Sequence, residues 1–150
     1  MSEQSSRGAR LIKIVRHWAD IYEAICKRSQ HAEITAADFE PLAKLVATDK
    51  FLRIGVFKDE ADWPLCLEKY VQFAGTSLWS GKLRYIHTVD NIVFQELEET
   101  ITRPHGKNVI YTMSVFEFDD EDKVTALRVY MQQVQNEPNV LILGTEGKSK

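Results

Sequence analysis

The chain has 150 residues, 44% of them apolar and 27% charged, enough for one unit (residues 1–150) that buries roughly 70% of its unfolded surface. A net charge of −3 and basic runs no longer than Lys27-Arg28 lack the clustered positive charge that a phosphate backbone requires, so no nucleic-acid partner is expected. No apolar run approaches the roughly eighteen residues of a membrane span, and Met1–Arg10 is polar, without the apolar stretch of a signal peptide. A cytoplasmic protein without a membrane partner is expected, with Cys26 and Cys66 as two buried thiols rather than a disulfide.

Residues 1–7 are polar and expected to fray, leaving a core of about residues 10–134 between polar termini. Leu11, Ile14, Val15, Trp18, Ile21, Tyr22 and Ile25 then recur at spacings of three and four, which predicts an amphipathic helix ending in the polar run 27–30. Thr35, with Asp38 three residues on, predicts a second helix start, with Phe39, Leu42, Leu45 and Val46 on one face. A short strand follows at Phe51–Phe57; both of its phases carry bulky groups, so neither is assigned the inner face. Asp62-Trp63-Pro64 opens a third helix, because aspartate caps and proline is tolerated in the first turn. Leu67, Tyr70, Val71, Ala74 and Leu78 supply its stripe, and Ser80-Gly81 is its stop signal.

The apolar rhythm then changes from helical to strand spacing. Four strands are predicted at Leu83–Phe94, Leu97–Arg103, Asn108–Phe118 and Val124–Val134. The run 119–123 is a charged hairpin loop without calcium-ligand spacing, and the apolar run 140–143 is expected either to add a final edge segment or to dock on a partner. His17 and His31 show no metal spacing with each other or with a cysteine.

Helix, helix, strand and helix followed by a four-strand meander resembles the nuclear-transport-factor-2-like superfamily, in particular its SnoaL-like branch with polyketide cyclases, scytalone dehydratase and ketosteroid isomerase. The resemblance covers about residues 10–134. Its most telling pieces are His87-Thr88-Val89-Asp90-Asn91, similar to the branch's His-x-x-x-Asn strand, and Val115–Asp119 leading into Lys123–Met131, similar to its closing strand. It implies an α+β fold: a cone-shaped, curved antiparallel sheet wrapped around three N-terminal helices, a cystatin-like α+β barrel. It also implies a homodimer paired through the outer sheet face, where Tyr111, Met113, Val115 and Tyr130 would lie.

The same resemblance implies a cofactor-free lyase or isomerase, a dehydratase or cyclase acting on a small hydrophobic or aromatic, polyketide-like or cyclic ketone substrate. His87 would be the catalytic acid/base, since imidazole titrates near neutrality, and Tyr22 would stabilise a developing oxyanion. Ser114 and Thr112 would orient the substrate, with Trp18, Phe116, Val129 and Met131 around it. The carboxylates of the resembled enzymes are missing at the matching positions: Val129 stands for the closing-strand aspartate, and Ile54 or Gly55 for the isomerase's base. A second expectation therefore stands beside the enzyme: a non-catalytic cone that binds a hydrophobic ligand or a protein partner.

Overall fold

A computed structural model describes residues 3–133, with side chains from Ser6 onward. Helix α1 runs over Glu3–Arg28, a 3-10 turn over Ala36–Phe39 leads into the short α2 (Glu40–Ala43), and α3 covers Trp63–Thr76. The strands are β1 (Leu52–Ile54), β2 (Glu60–Ala61), β3 (Leu78–Val89), β4 (Ile92–Arg103), β5 (Gly106–Phe118) and β6 (Val124–Gln133). They form one six-stranded sheet in the order β2-β1-β6-β5-β4-β3. The sheet is curved and mixed, because β1 runs parallel to β6 while every other pair is antiparallel. The expected α+β cone is present; the expectation of a wholly antiparallel sheet is corrected at that one pair.

Helix α1 packs its stripe into the concave side: Leu11, Val15, Trp18, Ala19, Ile25 and Cys26 are all buried. Gly8 lets it come close to β3, since a Cβ there would sit 2.9 Å from Thr88 Oγ1. The expected fraying of residues 1–7 does not hold at Arg7. Its Nε donates to Asp122 Oδ1 at 2.9 Å and its Nη2 to the Asp119 carbonyl at 2.6 Å, tying α1 to the β5–β6 turn. The start at Thr35 has its reciprocal cap with Asp38, but the chain makes only a 3-10 turn before Pro41 and α2. Asp62 caps α3 as expected, accepting from the Leu65 amide at 3.1 Å.

Two boundaries differ from expectation. Ser80 and Gly81 stop no helix; α3 ends at Thr76 and both residues lie inside β3. The first hairpin turns at Asp90-Asn91, not beyond Phe94: Asp90 takes the left-handed conformation (φ 54°) that Asp and Asn tolerate. Asn91 there anchors the turn through Nδ2 to the Phe118 carbonyl at 2.8 Å, so His87 and Asn91 do not share one strand. Strand β6 is described to Gln133; Val134 and the expected edge segment 140–143 lie outside the described residues.

The β3–β4 ladder carries a bulge. Leu83 pairs with Leu97 and Tyr85 with Glu96, leaving Arg84 as the extra residue. A single extra residue reverses the in-out alternation. Before the bulge the odd residues Trp79, Gly81 and Leu83 oppose the inner row Ile101, Glu99 and Leu97; after it the even residues Ile86 and Thr88 oppose the inner Gln95 and Val93.

Candidate functional site

The concave face of the sheet, α1 and α3 enclose a cavity of about 330 Å³, at the small end of the range for ligand sites. Its walls are mostly apolar. Trp18, Leu97, Phe116, Leu127, Val129 and Met131 line it, together with Phe73, Trp79, Ile101 and Ile110. Trp18 meets Phe116 edge-to-face at 5.3 Å.

Of the residues singled out in the sequence, Tyr22, Thr112, Ser114, Trp18, Phe116, Val129 and Met131 all line this cavity. Period-two alternation of β5 and β6 puts them there: Ser114 pairs with Val129, Thr112 with Met131 and Phe116 with Leu127 on one face. His87 is not among them. It pairs with Phe94 on the other face of the sheet and is exposed, so the expectation that it works inside the cone is corrected. The bulge at Arg84 is the physical cause, because without it His87 would share the phase of Trp79 and Leu83.

The cavity's carboxylate is one the sequence analysis missed. Glu99 sits on β4 in the inward phase of Val93, Gln95, Leu97 and Ile101, and it lines the cavity. Trp79 Nε1 donates to its Oε1 at 2.6 Å, and the Thr112 hydroxyl donates to its Oε2. Both donors are its diagonal neighbours across the ladder, for Glu99 itself pairs with Gly81 on one side and Ile110 on the other. Gly81 makes this possible. A Cβ there would meet Trp79 Cη2 at 2.8 Å, so the indole reaches Glu99 only across a residue without a side chain. The available signal was the one charged residue in the phase Val93, Gln95, Leu97, Glu99 and Ile101.

Tyr22, Tyr70 and Arg53 line the same cavity, and of these Tyr22 lies within electrostatic reach of Glu99. Tyr22 is packed among aromatic rings, edge-to-face with Tyr70 at 4.9 Å and with Trp79 at 5.3 Å. Burial first, then Tyr70 and Cys26, push its phenol well above the usual 10.0, with Arg53 pulling the other way. Burial likewise raises Tyr70, so both phenols keep their protons at physiological pH and can donate. Burial disfavours the charge on Arg53, but its pKa still lies above the usual arginine value, with Asp59 among the groups that favour the charge, and the guanidinium stays charged. Gln95, buried in the inner row, accepts from Arg16 Nη1 of α1 at 2.6 Å. The Thr112 hydroxyl is thus committed to Glu99, while Ser114 adds a hydroxyl to the same wall.

No protein-family model and no curated protein matches the sequence. Solved structures do match. An LEH-like epoxide hydrolase from M. tuberculosis superimposes with a TM-score of 0.67 at 14% identity, over 84% of this chain and 85% of that one. A SnoaL-like polyketide cyclase from Shewanella denitrificans gives 0.65 at 9% identity, over 81% and 90%. A protein of ketosteroid isomerase-like fold from Catenulispora acidiphila, solved with trimethylamine, gives 0.59 at 10% identity, over 78% and 83%. At these identities the likeness is one of fold. The chain has the nuclear-transport-factor-2-like cone, as the sequence resemblance implied.

Proposed function

We propose that the chain is a small-molecule enzyme of the SnoaL-like kind, a cofactor-free isomerase or lyase that moves a proton on a hydrophobic cyclic ketone. The observation that carries this is Glu99: a carboxylate inside a largely apolar cavity, held on two donors and sharing it with the protonated phenol of Tyr22. In this reading Glu99 takes the place first expected for His87. Its two hydrogen bonds fix the carboxylate's orientation and still leave each oxygen a free lone pair. It removes a proton from the carbon beside a carbonyl. The electron pair moves onto the carbonyl oxygen, where the Tyr22 phenol donates to the developing charge. Returning the proton at another carbon isomerises an unsaturated substrate; expelling a β-hydroxyl, which leaves as water with the proton that Glu99 took up, dehydrates it. Trp18, Phe116, Val129 and Met131 hold the apolar body, and Ser114 orients a polar substituent.

Solvent deuterium exchange tests this without knowledge of the natural substrate. With 2-tetralone as probe, the protein should speed incorporation of deuterium beside the carbonyl, and Glu99→Gln should lower that rate by about 10²-fold or more. Equal rates for the two proteins would remove Glu99 from the chemistry.

A second reading rests on the same two hydrogen bonds. With Trp79 and Thr112 both on it, Glu99 is also a strut joining β3 and β5, as a cone that binds without catalysis would use it. Saturable binding of the ketone with no exchange above buffer would select that reading.

We infer as well that two copies pair through the convex face. Tyr85, Val89 and Tyr130 are each more than half exposed there, and Tyr85, Glu96, Met113 and Tyr130 form one row across four strands. Val115, expected on that surface, is itself buried.

A further inference from the structure

Arg53 is the feature of the cavity that the proton-transfer chemistry leaves unused. It lines the cavity from β1, and its Nε is shielded from water without a hydrogen-bond partner. Its planar group stands 6.0 Å from the Tyr70 ring centroid, and the Tyr70 hydroxyl oxygen takes one hydrogen bond from it, which leaves the Nε edge unpaired. Among the described residues none of the ion pairs includes it. Asp59, the acid whose charge acts on it, is committed elsewhere: it binds Lys69 Nζ at 3.2 Å and the Phe57 amide at 3.3 Å. A half-buried guanidinium without a carboxylate partner costs stability, and that cost falls when an anion supplies the missing bonds.

We propose that the ligand of this cavity is a hydrophobic carboxylate, its anionic end bound by Arg53 and its apolar body against the Trp18 and Phe116 wall. A planar fork accepts a carboxylate by two parallel hydrogen bonds, the geometry for which arginine is suited better than lysine. A rotation about the last side-chain torsions of Arg53 brings its Nε edge to such a ligand. Lys69, also on the cavity wall, is paired with Asp59, so the free positive charge there is that of Arg53. The carboxylate occupies the Arg53 end of the cavity, leaving Glu99 to face the ligand's other end.

This names the substrate class for the site proposed above, and so rests on that site being a ligand cavity; it does not require Glu99 to be a base. The experiment compares 2-naphthoate with the isosteric neutral 2-naphthamide by calorimetric titration at pH 7. Wild-type protein should bind the acid at least ten-fold more tightly. Arg53→Gln should erase the preference and Arg53→Lys should keep part of it. Equal affinity of wild-type protein for acid and amide overturns the carboxylate assignment, whatever the variants do, and leaves the exchange test of Glu99 untouched. A preference that survives in folded Arg53→Gln overturns it also. Failure of both compounds to bind overturns the assignment together with the cavity reading.

Discussion

A methyl group at position 81 would lie 2.8 Å from the Trp79 ring, so a residue that touches no ligand still governs the site. Alanine at a strand position ordinarily stabilises by about 0.5–1 kcal/mol over glycine. Here Gly81→Ala should do the opposite, pushing the indole off Glu99 and lowering proton exchange at least ten-fold while the protein still unfolds cooperatively. An unchanged exchange rate would show that the Trp79 bond is dispensable. Cys26 makes a different prediction. Burial raises its thiol from 9.0 to about 11, so the folded chain holds a proton that the unfolded chain has released. Stability present below pH 9 is therefore lost as pH rises through about 11. Cys26→Ala should reduce the fall in urea midpoint across that window, and an undiminished slope would contradict the assignment. The sequence made Tyr22, Thr112 and Ser114 visible because their neighbours repeat at clean helical or strand periods. Glu99 was hidden by the run Glu96 to Thr100, where charged and polar residues occupy both phases and the apolar rhythm is broken.

At the level of elements, one extra residue decides which histidine face the cavity sees. The sequence between Leu83 and Val89 has apolar residues in both phases, so nothing in its pattern announces a bulge. Only the ladder, pairing Leu83 with Leu97 and Tyr85 with Glu96, reveals Arg84 as the inserted residue. His87→Ala should accordingly change stability by less than about 0.5 kcal/mol, as at an ordinary surface position, measured by urea denaturation. Deleting Arg84 removes only the extra residue and keeps Tyr85 opposite Glu96 and His87 opposite Phe94, so His87 should stay on the outer face and exchange in the cone should be unchanged. Helix starts were more legible than strand limits, because caps are local chemistry. Asp62 does what its sequence position suggests, and Asp62→Ala should cost about 1 kcal/mol. The end of α3 was less legible: the glycine taken for a stop is needed instead for side-chain packing two residues from Trp79.

Over the whole molecule, the helical first half and the strand meander assemble as their order implied, with α1 filling the concave side and its Leu11 and Val15 fully buried. Leu11→Ala should cost about 2–5 kcal/mol, read from thermal or urea unfolding. The parallel pairing of β1 with β6 was not legible, since a three-residue strand carries no sign of its distant partner. Yet that pairing brings Arg53 into register with Leu127 at the cavity wall. The convex face tests separately: Tyr130→Glu together with Tyr85→Glu should convert a dimer to a monomer in sedimentation, without altering exchange in the cone. The central claim is that the chemistry belongs to Glu99 within the cone and not to His87 outside it. Solvent deuterium incorporation into 2-tetralone, measured side by side for Glu99→Gln and His87→Ala, tests this most directly. With Glu99 as the base, His87→Ala should exchange like wild type and Glu99→Gln should not; exchange that survives in Glu99→Gln and disappears in His87→Ala would place the chemistry outside the cone.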